Sequence, residues 1–136
     1  MAKWKDLHHS VANGNPYAVA KAPATKDDIA DVERALKVKV PAELVDMLLE
    51  FNGDGDGIFS TSSIIECNTM LWELDCFMPL NCLFFFAGDG VGNYYGCPVI
   101  GGATDMSRGI YRWDHEYDSR EWWCNELEDA MRKLYQ

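Results

Sequence analysis

An uninterrupted apolar run at residues 82–87, Cys-Leu-Phe-Phe-Phe-Ala, constrains the fold more than any other feature of this sequence. Followed by the glycine-rich segment 88–92, it is typical of a β-strand that is buried on both faces. The glycines allow a tight turn. Residues 93–100 are therefore predicted to return as the partner strand of a hairpin, and residues 109–113 to form a further strand.

Helical patterns precede this hairpin. Thr25 and Asp28 form a variant of the capping box, which predicts a helix that begins there. A second helix is predicted to begin at Pro41, where the missing N–H of proline costs nothing, and to end at Asn52-Gly53. Because only a few residues join the two helices, we expect them to pack as a helical hairpin.

The remaining segments give weaker signals. Residues 3–7 suit a short first helix, residues 63–66 a strand and residues 69–75 a helical turn. Ser119 is expected to cap a final helix that contains Trp122 and Trp123. Helices, then an antiparallel sheet, then a last helix predict one α+β domain whose sheet is mainly antiparallel.

The acidic residues are unevenly distributed. Residues 40–107 contain no lysine or arginine, whereas the rest of the chain is neutral, so the formal net charge of −10 falls in the middle half of the sequence. The ten carboxylates of this stretch belong to Glu43, Asp46, Glu50, Asp54, Asp56, Glu66, Glu73, Asp75, Asp89 and Asp105. Such a surface repels nucleic acid and anionic membranes and attracts cations, metal ions or a basic protein. The alternative is that the acids only keep the domain soluble.

The cysteines and the first residues of the chain indicate a compartment. The chain has five cysteines, which is an odd number, and no C-x-x-C motif occurs. We therefore expect the cysteines to be small buried residues of a protein in a reducing compartment. The first residues lack the apolar stretch of a signal peptide, and no run approaches the length of a membrane span. A cytoplasmic protein is therefore expected.

The loop after the second predicted helix is a candidate cation site. Residues 52–57, Asn-Gly-Asp-Gly-Asp-Gly, resemble the start of a calcium loop, with Asp54 and Asp56 at ligand positions. However, Ser63 occupies the twelfth position, where such a loop needs a bidentate glutamate. A helix end that leads into a flexible acidic loop explains the same residues, and no metal ligand is assigned.

Two further acidic segments contain candidate residues. Asp89 lies in the glycine-rich turn, which lacks the lysine and the serine or threonine of a phosphate-binding loop, so a hairpin turn is the better interpretation. In an extended segment 113–116, Asp114 and Glu116 would point away from His115 and could not orient it as a base. The two carboxylates would suit a cation or a basic side chain of a partner, or a solvated strand end. No nucleophile is placed, so no catalytic residue is predicted.

Aromatic and histidine residues complete the candidates. Trp72 suits either an aromatic anchor for a partner or a structural position in the core. The pair His8-His9 has no second pair of ligands at a suitable spacing, so a solvated tail is expected. Neither feature predicts a metal or a cofactor.

Three sets of residues occur in an order that is typical of one family. The first is Pro23-Ala24-Thr25-x-x-x-Ile29-x-x-x-Glu33-x-x-Leu36, then Val40-Pro41-x-x-Leu44, then Leu48-x-x-Phe51-Asn52-Gly53. The second is Gly88-Asp89-Gly90-Val91-Gly92-Asn93-x-Tyr95, and the third is Ile110-Tyr111-Arg112-Trp113-Asp114-His115-Glu116. Together they resemble the SUKH superfamily from residue 23 to about residue 135, whereas residues 58–82 match no motif.

The resemblance implies an α+β fold with a strongly bent sheet over residues 23–136, preceded by residues 1–22 as an N-terminal extension of the same domain. It also implies a non-enzymatic role in protein binding. Many bacterial members of the superfamily resemble immunity proteins, which bind and neutralise toxins delivered between competing cells. Some eukaryotic relatives, of the cell-wall-regulator type, are signalling and scaffold proteins.

We therefore predict an immunity-type protein, whose acidic composition would suit a basic toxin that attacks nucleic acid. The alternatives are a regulatory or scaffold protein and, third, an enzyme or a metal-binding module centred on Asp54, Asp56, Asp114 and Glu116. The predicted partner-binding residues are Asp54, Asp56, Trp72, Asp89, Asp114 and Glu116. The acids from Glu43 to Asp56 are expected to form the acidic face. No cofactor, nucleic acid or membrane is expected as a partner, and the protein is expected to be a monomer or a weak homodimer.

Overall fold

The computed structural model describes residues 2–135, which form five α-helices and a five-stranded sheet. The helices are α1 (Lys3–Val11), α2 (Lys26–Leu36), α3 (Ala42–Glu50), α4 (Thr61–Trp72) and α5 (Leu127–Leu134). The strands are β1 (Leu83–Gly88), β2 (Asn93–Ile100), β3 (Ala103–Thr104), β4 (Ile110–Asp114) and β5 (Ser119–Cys124). A short 3₁₀ helix, Met106–Arg108, precedes β4. The predicted α+β class is therefore confirmed.

The sheet is open, and its strand order is β1-β2-β4-β5, with β3 paired to β2. Every pairing within it is antiparallel. The hairpin of β1 and β2 is the one that the apolar run and the glycine-rich turn predict. Between Phe85 and Ala87 the register shifts, so Phe86 is the extra residue of a β-bulge.

Two apolar clusters cover the two faces of β1 and explain why this strand is buried along its whole length. The larger cluster contains Phe84 and Phe86 together with residues from all five helices. The smaller cluster joins Phe85 to Leu71 and Trp113. Fully burying a large side chain of this kind contributes roughly 1.5–3 kcal/mol relative to leaving it exposed, so the run at 82–87 is central to stability.

The two helices before the hairpin begin where their capping residues predict. Thr25 accepts a hydrogen bond from the Asp28 amide at 3.1 Å, and the Thr25 amide donates to the Asp28 carboxylate at 2.9 Å. Pro41 stands immediately before α3. The short connection does not make these helices each other's main neighbours, however, because α2 packs mainly against α4, and α3 against α1.

Two predicted elements are wrong. Residues 63–66 are not a strand but lie in α4, which begins after the Ser60 cap and buries Ile64, Asn68 and Leu71 on one face. Residues 119–124 do not begin a helix but form β5, which pairs with β4. Trp122 and Trp123 therefore lie in a strand, and the final helix begins only at Leu127.

The predicted short first helix is confirmed as α1, which packs against α3 and α5. The Glu50 carboxylate caps it from outside, because one of its oxygens accepts the amide hydrogens of Trp4 at 2.8 Å and Lys5 at 2.9 Å. This carboxylate therefore satisfies two of the amides that a helix start leaves without a partner. It also suits the positive end of the helix dipole.

The five cysteines are free thiols. Cys97 and Cys124 are buried as expected, whereas Cys76 and Cys82 are exposed, contrary to the prediction. Burial raises the pKa of Cys97 to about 12 and that of Cys124 to about 11. It also raises the pKa of the half-buried Cys67 to about 12, so these three thiols stay protonated near neutral pH. Among residues 2–135, no helix has the length and apolar character needed to cross a membrane.

Candidate partner-binding surface

Asp54 is fully buried, so the prediction of an exposed acidic side chain at this position is wrong. One carboxylate oxygen accepts the backbone amides of Asp56 at 2.8 Å and Ile58 at 3.1 Å. The other lies 2.9 Å from Nε2 of His8. His8 is itself only 3% exposed, which corrects the expectation of a solvated tail. The two residues are 46 positions apart, so no local pattern joins them.

This buried pair determines the shape of the acidic loop. A buried carboxylate is costly unless donors surround it, and Asp54 has three. His8 in turn packs with Phe51, at 4.7 Å between ring centroids, and with Tyr135 at 5.6 Å. The loop is therefore held from α1, and Asp54 serves as its internal anchor rather than as a residue that meets a partner.

Asp89 is exposed, yet its oxygens are used within the hairpin turn. They accept hydrogen bonds from the amides of Val91 at 2.9 Å and Asn93 at 3.1 Å, and from the Asn93 side chain at 2.6 Å. The interpretation of this segment as a hairpin turn is thus confirmed. The carboxylate stabilises the turn by closing it.

The residues after Trp113 do not share a strand face. β4 ends at Asp114, and His115 and Glu116 lie in the turn that follows. His115 rests on the glycine-rich turn, where its Nδ1 lies 3.1 Å from the Gly92 carbonyl oxygen. A Cβ at Gly92 would come within 2.0 Å of that ring. Asp114 is half-buried and accepts the Glu116 amide at 2.8 Å, so only Glu116 is a fully exposed acid in this segment.

Asp118, which no sequence pattern singles out, stabilises the same turn. Asp118 adopts a left-handed conformation, with φ of 52°. Its carboxylate accepts hydrogen bonds from Trp113 Nε1 at 2.7 Å, the Met78 amide at 2.9 Å and Arg120 at 2.9 Å. Desolvation alone would raise the pKa of the Asp118 carboxyl, but these hydrogen bonds outweigh it and lower that pKa below its ordinary value.

Trp72 is half-buried, and its indole N–H donates to the Leu83 carbonyl at 2.9 Å. Its ring packs against both apolar clusters. Of the two interpretations that the sequence leaves open, the structural one describes what this side chain does here.

Helix α4 seals the free edge of β1 with side-chain hydrogen bonds. Asn68, which is fully buried, donates to the Phe85 carbonyl and accepts the Phe85 amide, both at 2.8 Å. The indole N–H of Trp72 donates to the Leu83 carbonyl on the same edge, and the Phe59 amide donates to the Phe86 carbonyl at 3.0 Å. The strand edge that would otherwise pair with another chain is therefore closed.

A concavity of about 610 Å³ is lined by residues of α4 and of the loops next to it. We call it the α4 groove, bounded by α4, the loop 55–60 and the glycine-rich turn 88–92. Asp56 is the one predicted site residue that lines it. Glu66 and Met70 also line it and were not predicted as site residues, because the segment that contains them was not recognised as one helix.

Seven of the ten carboxylates between residues 40 and 107 are exposed: Glu43, Asp46, Asp56, Glu66, Glu73, Asp75 and Asp89. Within residues 2–135 none of these seven forms an ion pair. The face expected from Glu43 to Asp56 is only partly present, because Glu50 caps α1 and Asp54 is buried. No cluster of three or more potential metal ligands occurs among the described residues.

The sequence model of the SMI1 / KNR4 family (SUKH-1) matches residues 23–133. The chain belongs to this family. No curated protein matches it. The SUKH-1 match contains every predicted site residue and nearly all of the α4 groove, whereas α1 and His8 lie outside it. The resemblance seen in the sequence is therefore confirmed.

Proposed function

We propose that this SUKH-1 protein is a non-enzymatic binding domain of the immunity type, which binds and neutralises a bacterial toxin. Family membership is consistent with an immunity or a regulatory protein. The observation that carries the proposal is the set of seven exposed carboxylates that have no ion-pair partner among residues 2–135. Such charge is available to a partner of opposite sign.

A basic toxin is the partner that this charge suits. Proteins that act on nucleic acid carry lysine and arginine to contact phosphates. An acidic inhibitor attracts such a surface over a distance of about one Debye length and accelerates encounter, which is valuable when the toxin must be captured quickly. In this role the protein would act in the cytoplasm, as a monomer or a weak homodimer.

The positions of the reactive-looking residues support a non-enzymatic role. His115 contacts the backbone of the glycine-rich turn, Asp89 closes that turn, and Asp54 anchors the acidic loop. Each is therefore occupied in holding the fold together. A regulatory or scaffold protein is the second candidate, because membership of this family is also consistent with a regulatory protein.

Co-expression tests the proposal. A toxin encoded beside this gene would be induced in bacteria with and without the protein, and growth and complex formation would be measured. The proposal expects restored growth and a co-purifying complex whose association slows as salt is raised. A folded protein that neither protects cells nor binds the toxin would contradict it and favour the regulatory alternative.

A further inference from the structure

The α4 groove has the size of a site for one or two side chains. Its volume of about 610 Å³ falls within the range of small-ligand pockets. One wall is the glycine-rich turn, where Gly90 has no atom within 4 Å of the place a Cβ would occupy. At Gly90 this wall is bare, so an inserted side chain can approach the backbone there closely.

The opposite wall is a stripe of α4. Ser63, Glu66, Cys67 and Met70 recur at helical spacing and all line the groove. Met70 is 53% exposed, which is unusual for a large apolar side chain, and its flexible thioether adapts to different partners. Apolar surface therefore lies beside a carboxylate, a combination that matches a side chain with an apolar stem and a charged head.

The charged residues that line the α4 groove favour a positively charged ligand. Asp56 and Glu66 supply two carboxylates, and Lys21 is the one basic residue among the lining residues that the structure describes. Glu66 makes no ion pair within residues 2–135, and Asp56 accepts one long hydrogen bond, at 3.3 Å from Asn15. Both carboxylates are exposed and free to receive a donor.

We propose that the α4 groove receives an arginine from a loop of the partner protein. The guanidinium donates to the Glu66 carboxylate, with Asp56 adding to the attraction, and the aliphatic stem lies on Met70. Arginine fits better than lysine because its planar fork bonds a carboxylate through two N–H groups. This inference deepens the proposed function, since it rests on the chain being a protein-binding domain.

A titration of the full protein with defined peptides tests the site. The probes are the capped tripeptides acetyl-Leu-Arg-Leu-amide and acetyl-Leu-Glu-Leu-amide, followed by two-dimensional ¹H–¹⁵N NMR. The arginine peptide should shift the amide signals of Gly55, Gly88, Gly90 and Gly92 with saturation and a Kd on the order of 1 mM. The glutamate peptide should leave those signals unchanged.

Two variants and a matched control separate a built site from general charge. Glu66→Gln and Glu66→Lys should each weaken binding of the arginine peptide, and Glu66→Lys should raise its Kd by about tenfold or more. Glu121→Lys makes the same charge change at an exposed position on β5, outside the seven carboxylates and without an ion pair among residues 2–135, and should have little effect. The NMR spectrum itself shows that each variant is folded.

The proposal would be overturned if Glu121→Lys and Glu66→Lys weakened peptide binding equally, if the shifts were scattered over other faces, or if no shift occurred at peptide concentrations of about 10 mM. Because the titration uses no toxin, its failure removes the arginine site and leaves toxin binding to another face. Specific binding of the peptide without any protection of cells would instead remove the immunity function alone.

Discussion

The hydrogen bonds of Asn68 yield the sharpest prediction about stability. Its side chain is fully buried and satisfies both polar backbone groups of Phe85 on the side that faces away from β2. Asn68→Leu removes those partners but keeps the branched shape and the number of side-chain heavy atoms, so no cavity opens. We expect the free energy of unfolding to fall, because two buried backbone groups lose their hydrogen bonds.

The magnitude follows from the number of orphaned groups. Each buried donor or acceptor left unsatisfied costs about 1–3 kcal/mol, so the two groups of Phe85 cost about 2–6 kcal/mol together. The third hydrogen bond of Asn68, to the Ile64 carbonyl at 2.8 Å, matters less because that carbonyl also lies within reach of a helical N–H. A typical domain is stable by about 5–15 kcal/mol, so this loss is large.

Urea unfolding monitored by tryptophan fluorescence measures this change, with hydrogen exchange at the Phe85 amide as the local readout. Thr69→Ala, an exposed neighbour on the same helix, is the matched control and should shift stability by no more than about 0.5 kcal/mol. An Asn68→Leu protein as stable as the wild type, with the Phe85 amide equally protected, would refute the account of the sealed edge.

Three further changes have expected outcomes. His8→Ala leaves the buried carboxylate of Asp54 without one donor and should lower the free energy of unfolding by about 3–5 kcal/mol, measured by thermal or urea unfolding. The control His9→Ala changes an exposed neighbour and should lower it by less than about 0.5 kcal/mol. The lowered pKa of Asp118 means that its contribution to stability is present above the ordinary value of 3.8 and is lost as pH falls through the lower folded value. Asp118→Asn should therefore flatten the acid end of the stability curve, and an unchanged slope would count against the hydrogen-bonded carboxylate. Trp72→Phe should destabilise by about 1–3 kcal/mol through the unsatisfied β1 carbonyl, and it should leave partner binding unchanged if the residue is only structural.

The parts of the fold that the sequence predicts are those determined by local patterns. The β1–β2 hairpin follows from an apolar run beside glycines, and α2 begins where Thr25 and Asp28 cap it. Long-range packing decides the rest. Ile64 and Ile65 favour a strand by propensity, but the Ser60 cap and the buried contacts of Asn68 with β1 hold them in a helix.

The candidate site shows the same limit more strongly. Asp54 resembles an exposed ligand in the sequence, but in the fold it is buried beside His8, 46 residues away, and accepts two amides of its own loop. Glu66 is one of the ten acids between residues 40 and 107, and it becomes notable only because α4 places it in a groove with the glycine-rich turn. The absence of lysine and arginine from residues 40–107 predicts that the partner is basic. The fold determines which of the carboxylates in this stretch are exposed and can contact that partner.

Growth rescue by the intact protein and its Glu66→Lys variant tests the central claim most directly. Cells that express the toxin encoded beside this gene would be compared without the protein, with the wild type, with Glu66→Lys and with the Glu121→Lys control, at equal levels of folded protein. The account predicts that the wild type and Glu121→Lys restore growth and that Glu66→Lys restores it poorly. Absence of rescue by the wild type, with no complex in solution, would contradict the claim that this SUKH-1 domain neutralises a toxin by binding it.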